Sequence, residues 1–77
     1  MTDIVAPNDL WDGNSPGALS VWYVATGERV TAGQVICELA YEKAAMEVTS
    51  PANGVITRLK QIEEPVTKGE VIARLSA

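Results

Sequence analysis

The side chains here that could act as nucleophiles, bases or metal ligands are few: Cys37, the lysines Lys43, Lys60 and Lys68, and ten carboxylates, with no histidine. Ser-His-Asp and Cys-His constellations are therefore impossible, and so is proton transfer by imidazole. A zinc or iron cage would have to be built almost entirely from carboxylates. Asp9, Asp12 and Asn14 do not match the spacing of a calcium loop, which leaves no metal site. Cys37 stands alone and cannot close an internal disulfide. Any chemistry this protein takes part in is imported.

The elements that position these groups must come from a very short chain. Its 77 residues imply one domain spanning 1–77, near the lower limit for folding without a staple. At 47% hydrophobic and 21% charged the chain is too apolar for disorder. A net charge of −4 argues against nucleic acid, whose phosphates require a cationic footprint. No apolar run approaches the length of a membrane span and no basic-then-apolar leader opens the chain, so no membrane partner is expected. Cys37 lies in an apolar strand-like run, which suits a reducing, cytoplasmic setting.

Short apolar segments broken by Gly, Pro or Asn-Gly every eight to twelve residues predict an all-β sandwich or barrel. The strands read from the sequence are 4–6, 18–24, 35–40, 46–49, 55–61 and 71–75, with short extended pieces near Val30 and Val66. Strict alternation would put Val35, Cys37 and Leu39 on one face, and likewise Val71, Ala73 and Leu75. No segment shows a helical period.

An internal repeat is the most informative feature. Val30-Thr31-Ala32-Gly33-Gln34-Val35-Ile36-Cys37-Glu38-Leu39 returns as Val66-Thr67-Lys68-Gly69-Glu70-Val71-Ile72-Ala73-Arg74-Leu75, an offset of 36. Upstream, Gly17-Ala18-Leu19 matches Gly54-Val55-Ile56 at an offset of 37, so the second copy is one residue shorter. Two copies are too few for a solenoid. They suffice for a flattened sandwich of two short antiparallel sheets related by a pseudo-two-fold axis. Between the copies, Tyr41-Glu42-Lys43-Ala44-Ala45 reads as a hairpin with Lys43 at its exposed tip.

On these residues the chain resembles the lipoyl domain family, whose fold the biotinyl domains share. Residues 25–36 are similar to that family's "x-x-Gly-Asp-x-Val-x-x-Gly-x-Val-Leu" run. Cys37-Glu38-Leu39-Ala40-Tyr41-Glu42-Lys43-Ala44 is similar to its "x-Glu-Ile-Glu-Thr-Asp-Lys-Ala" strand. Glu47-Val48-Thr49-Ser50-Pro51-Ala52-Asn53-Gly54-Val55-Ile56 is similar to its "Glu-Val-x-Ser-Pro-x-x-Gly-Val-Val" exit, and Trp22 falls on the strand that carries a core tryptophan. The sequence departs from the family at Ala40, at Tyr41 and in residues 62–66, where a glycine turn is expected.

The resemblance implies a non-catalytic carrier. Lys43 would hold lipoate in amide linkage, installed by a lipoate ligase or a lipoyl/octanoyl transferase. The group would swing between a thiamin-dependent 2-oxo acid decarboxylase, a dihydrolipoamide acyltransferase and a dihydrolipoamide dehydrogenase. Biotin acceptors usually present Met-Lys-Met, and Glu42-Lys43-Ala44 sides with lipoyl. A biotin carrier of a carboxylase and an unmodified hairpin domain that serves as a binding module stay open as alternatives. The resemblance also places the loop between the first two strands beside the hairpin. That would make Trp11 a contact for the decarboxylase, against the plainer reading of a side chain folded over the sandwich edge. Lys60 and Lys68 read as solvated charges, and Cys37 as a small core residue. Glu38, Glu42 and Glu47 read as a cluster around the hairpin, either an ordinary solvated face or a negative field that steers basic partners. A free-standing protein and a domain cut from a longer acyltransferase read alike from this sequence.

Overall fold

The computed structural model describes residues 1–7 and 15–76. Trp11, Asp9, Asp12 and Asn14 lie outside the described residues. Valine, isoleucine and leucine alternate over short stretches between glycine and proline turns, and such stretches bury one face as strands. Among the described residues eight form: β1 (Thr2–Val5), β2 (Gly17–Trp22), β3 (Arg29–Val30), β4 (Val35–Tyr41), β5 (Ala44–Thr49), β6 (Gly54–Arg58), β7 (Pro65–Val66) and β8 (Val71–Ser76). They make two four-stranded antiparallel sheets, ordered β1-β8-β6-β3 and β5-β4-β2-β7. The all-β sandwich of two short sheets is confirmed, and the sheets do not close into a barrel. Strand limits shift from the sequence reading: β1 spans Thr2–Val5 and not 4–6, β2 spans Gly17–Trp22 and not 18–24, and β4 and β8 each run one residue further. β5 begins two residues earlier, at Ala44, and β6 stops at Arg58 because residues 59–64 leave the sheet to form a turn.

The repeat is a structural dyad. Exchanging β1 with β5, β2 with β6, β3 with β7 and β4 with β8 turns one sheet order into the other. Each copy lends its short strand to the other sheet: β3 follows β2 but pairs with β6, and β7 follows β6 but pairs with β2. This exchange holds the copies together, because neither sheet is complete without a strand of the other. The core follows the same symmetry. Leu19, Val30, Ile36, Cys37 and Leu39 are buried opposite their counterparts Ile56, Val66, Ile72, Ala73 and Leu75.

Among the described residues three bulges correct the simple alternation. Ile36 is skipped between the pairs Val35↔Thr49 and Cys37↔Val48, and its counterpart Ile72 is skipped between Val5↔Val71 and Ile4↔Ala73. An extra residue lets two successive side chains turn inward. Ile36 and Cys37 are accordingly both buried, as are Ile72 and Ala73, while Val35 and Val71 are only half-buried. The third bulge is unpaired in the repeat. β2 passes from Leu19↔Leu39 to Val21↔Glu38, skipping Ser20, whereas β6 pairs with β8 without a shift. Ser20 is thus the residue by which the first copy is longer.

The glycine missing from the second copy has a physical substitute. Gly27, at φ +94°, donates its N–H to the Ile56 carbonyl at 2.8 Å. At the equivalent place Glu63 adopts φ +73° and donates to the Leu19 carbonyl at 2.7 Å. The turn survives at the cost of a non-glycine residue in the left-handed region, which is unfavourable by about 1–2 kcal/mol. Glycine relieves that strain but loses more chain entropy on folding. Glu63→Gly is therefore expected to stabilise by roughly 0.5–1 kcal/mol, or about 2–8 °C in a thermal melt of a domain this size. A lower Tm would show that the exposed Glu63 side chain contributes more than the strain it imposes.

Candidate functional site

The hairpin between β4 and β5 is closed by the pair Tyr41↔Ala44, which leaves Glu42 and Lys43 as a two-residue turn. Glu42 takes φ +55°. A positive φ at the first central position lets a two-residue turn follow the right-handed twist of its strands. Tyr41 and Met46 pack back against the core, which anchors the base of the hairpin. Beyond them Glu42, Lys43, Ala44 and Ala45 are all exposed. The turn is short and its stem is packed, so the lysine is held out from the surface.

The three lysines differ in what they touch. Lys60 is bonded to Glu70 and lies 3.6 Å from Glu64, and the Glu70 contact first of all raises its pKa. Lys68 is half-buried and likewise engaged. Lys43 makes no ion pair or hydrogen bond among the described residues. Its Nζ is the lysine amine left available for a bond to something else.

The only thiol is withdrawn. Cys37 is fully buried, and desolvation first, with the nearby Glu38 charge second, pushes its pKa up to about 12. The thiolate is the reactive form, so this cysteine is a poor nucleophile at neutral pH. Trp22 is a rim residue rather than a central anchor. It is half-buried against the core, and its indole N–H donates to the Lys60 carbonyl at 3.0 Å.

The carboxylates do not form one cluster at the hairpin. Glu42 alone sits in the turn. Glu38 and Glu47 face each other across β4 and β5, three residue pairs back from Tyr41↔Ala44. At about 3.4 Å per residue that separation is about 10 Å. Like charges directly opposite are unfavourable, and the dyad-related positions hold an ion pair instead, with Arg74 3.0 Å from Asp3. Tyr23 offsets part of the repulsion by donating its hydroxyl to Glu38. That hydrogen bond is the main reason its phenol pKa is raised.

Past β5 the chain crosses to the other sheet through Ser50-Pro51-Ala52-Asn53-Gly54. Buried Ser50 donates its hydroxyl to the Ala52 carbonyl at 2.7 Å and accepts the Gly33 N–H on its own carbonyl at 2.8 Å. Asn53 Oδ1 accepts the Ala32 N–H at 2.7 Å. This segment of the motif fixes the crossover and offers no exposed reactive group.

With this geometry the chain is similar to several known proteins. The family model described as "Biotin-requiring enzyme" matches residues 13–75. The mitochondrial acetyl-CoA carboxylase of Saccharomyces cerevisiae is 32% identical over 75 residues, which cover 97% of this chain and 3% of the carboxylase. The human dihydrolipoyllysine-residue succinyltransferase component of the 2-oxoglutarate dehydrogenase complex is 45% identical over 38 residues, 49% of this chain and 8% of that protein. The solution structure of the lipoyl domain of the 2-oxoglutarate dehydrogenase complex from Azotobacter vinelandii matches with a TM-score of 0.77 at 29% identity, covering 100% of this chain and 98% of that one. The chain therefore spans a small fraction of either full-length relative and nearly the whole of an isolated lipoyl domain.

Proposed function

The chain belongs to the biotin/lipoyl attachment family, a non-catalytic carrier domain for a covalently held cofactor, and we propose that its cofactor is lipoate on Lys43. The observation that carries this reading is the contrast among the lysines. Among the described residues Lys43 is exposed and unpaired on a two-residue turn, while Lys60 and Lys68 are half-buried and engaged. An amide to Nζ there breaks no interaction among the described residues. Lipoate held in this way supplies a disulfide that can be opened, acylated and closed again.

The residues of the domain supply position and protection. The Tyr41↔Ala44 pair and the left-handed Glu42 hold Nζ away from the sheets. Burial of Cys37 removes the one internal thiol that could compete for an acyl group. Lipoate is preferred over biotin on two grounds: an acidic residue before the lysine with a small one after it, and likeness to a lipoyl domain over the full chain. The partners in this reading are a lipoate ligase or lipoyl/octanoyl transferase, a thiamin-dependent 2-oxo acid decarboxylase, a dihydrolipoamide acyltransferase and a dihydrolipoamide dehydrogenase, in a cytoplasmic setting. Similarity to the carboxylase supports the second reading, biotin on the same lysine.

Co-production with a lipoate ligase and, separately, with a biotin ligase distinguishes them by intact mass. Addition of one lipoyl group and no biotin is expected. Biotinylation without lipoylation would transfer Lys43 to the second reading. An unchanged mass with two ligases of verified activity would remove both and leave an unmodified binding module.

A further inference from the structure

An open groove of about 430 Å³ lies where the end of β2 meets the turn that leaves β6. Trp22 pairs with Cys37, four residues along β4 from Tyr41, which puts this end of β2 roughly 13 Å from the lysine turn. The groove straddles the pseudo-two-fold axis, since Trp22 and Arg58 occupy equivalent positions in the two copies, as do Thr26 and Ile62. The equivalence is geometric and not chemical. One copy contributes an indole and the other a guanidinium, whose Cζ lies over the indole ring 5.7 Å from its centroid, within cation–π range.

Both partners in the contact are held from the opposite copy. The indole N–H donates to the Lys60 carbonyl, and the Arg58 backbone N–H donates to Thr26 Oγ1 at 3.0 Å. Leu59 and Ile62 stand beside them 45% and 55% exposed. Lys60, the other cation of the groove, is already matched by Glu64 and Glu70. Arg58 has no ion pair among the described residues, so the groove offers one uncompensated guanidinium beside two exposed aliphatic side chains. Locally, and against the net charge of −4 of the whole chain, this combination fits a ligand that carries both a carboxylate and an aliphatic group. A guanidinium held over a ring by a cation–π contact keeps its N–H donors available to a carboxylate. A single cation is too little for a nucleic acid or an anionic membrane, both of which need several.

We propose that this groove docks an extended acidic and apolar segment of a partner protein, with one carboxylate on Arg58 and an aliphatic side chain on Leu59 and Ile62. The contact is independent of what Lys43 carries. It would hold the domain near its middle, away from the lysine turn, and leave the hairpin free to move toward an active site.

Titration of the 15N-labelled full chain with an acetylated, amidated hexapeptide of alternating glutamate and leucine tests this. Saturable shifts are expected at the Trp22 indole N–H and at the Arg58, Leu59 and Ile62 amides. Arg58→Gln in the protein, and glutamine for glutamate in the peptide, are each expected to weaken binding about fivefold or more, as loss of a charge-assisted bidentate contact does. Ile62→Ser keeps the charge and the cation–π contact, and is expected to weaken binding without altering the Trp22–Arg58 signals of the free chain. No shifts up to about 10 mM peptide, a range in which even weak specific contacts register, would overturn the proposal. So would equal shifts with acetate alone, insensitivity to Arg58→Gln in a variant with a native-like spectrum, or the same shifts appearing on concentrating the chain without peptide, which would make a second copy the occupant.

Discussion

Lys43→Arg is expected to stay at its unmodified mass when produced with an active lipoate ligase, while Lys60→Arg and Lys68→Arg each gain one lipoyl group. The loss at position 43 should be complete, because amide formation needs a primary amine that can be deprotonated, and a guanidinium is not one. The substitution retains the positive charge and the length of the side chain. The turn is equally unaffected, since the left-handed residue is Glu42 and not Lys43. Lys43 is exposed and unpaired among the described residues, so the change in stability should stay within about 0.5 kcal/mol, the usual range for such surface sites. A native-like melt with no added mass would therefore isolate the chemical role of the amine. Modification of Lys43→Arg at Lys60 or Lys68 would show that the ligase reads the fold and not the hairpin, and the assignment of the site would fall.

Much of this arrangement was legible in the sequence, and the omissions share a cause. The repeat from Val30 to Leu39 and from Val66 to Leu75 disclosed two related units, and Tyr41-Glu42-Lys43-Ala44 disclosed the turn between them. Both signals are local. The change of offset from 37 to 36 was visible too, but its origin in a bulge at Ser20 was not, because a bulge is defined by the partner strand. The same holds for Ile36 and Ile72, which alternation sent to the wrong face. Nearness in sequence also misled at Glu38 and Glu47. They flank the lysine within a few residues, yet register places them about 10 Å down the hairpin. Lys60 looked like a solvated charge because its partner Glu70 is brought in by the return of the chain through β7. The exchange of β3 and β7 between the sheets is likewise a long-range pairing with no local mark. The turn that presents Lys43 was readable because its distinguishing property, a tight connection between two strands, is itself local.

Gly54→Ala is expected to be the most damaging single-methyl change in the part of the domain that carries the hairpin across to the second sheet. Gly54 is buried at the start of β6, opposite Val30 and next to the pair Val55↔Ser76. A Cβ there would sit 2.6 Å from the Ser76 carbonyl oxygen and 3.3 Å from the Leu75 Cβ. The first of these is backbone and cannot rotate away. Either β8 shifts against β6 or the crossover after Asn53 must move, and Asn53 is tied to the Ala32 N–H at 2.7 Å. Overpacking of this kind costs about 1–3 kcal/mol, and a backbone obstacle belongs at the upper end. A chain of this length holds roughly 4–12 kcal/mol in total, so a fall of about 10–20 °C in Tm is expected. Gly27→Ala is the informative control. Its added Cβ meets nothing within 4 Å, and the penalty comes only from φ +94°, about 1–2 kcal/mol of left-handed strain. If the two variants melt together, the close approach at Ser76 relaxes easily and conformational strain alone explains both glycines. If Gly54→Ala falls well below Gly27→Ala, the glycine of the Ser-Pro-x-x-Gly segment is there to let two strands meet, and its link to Lys43 runs through the stability of the sheet crossover.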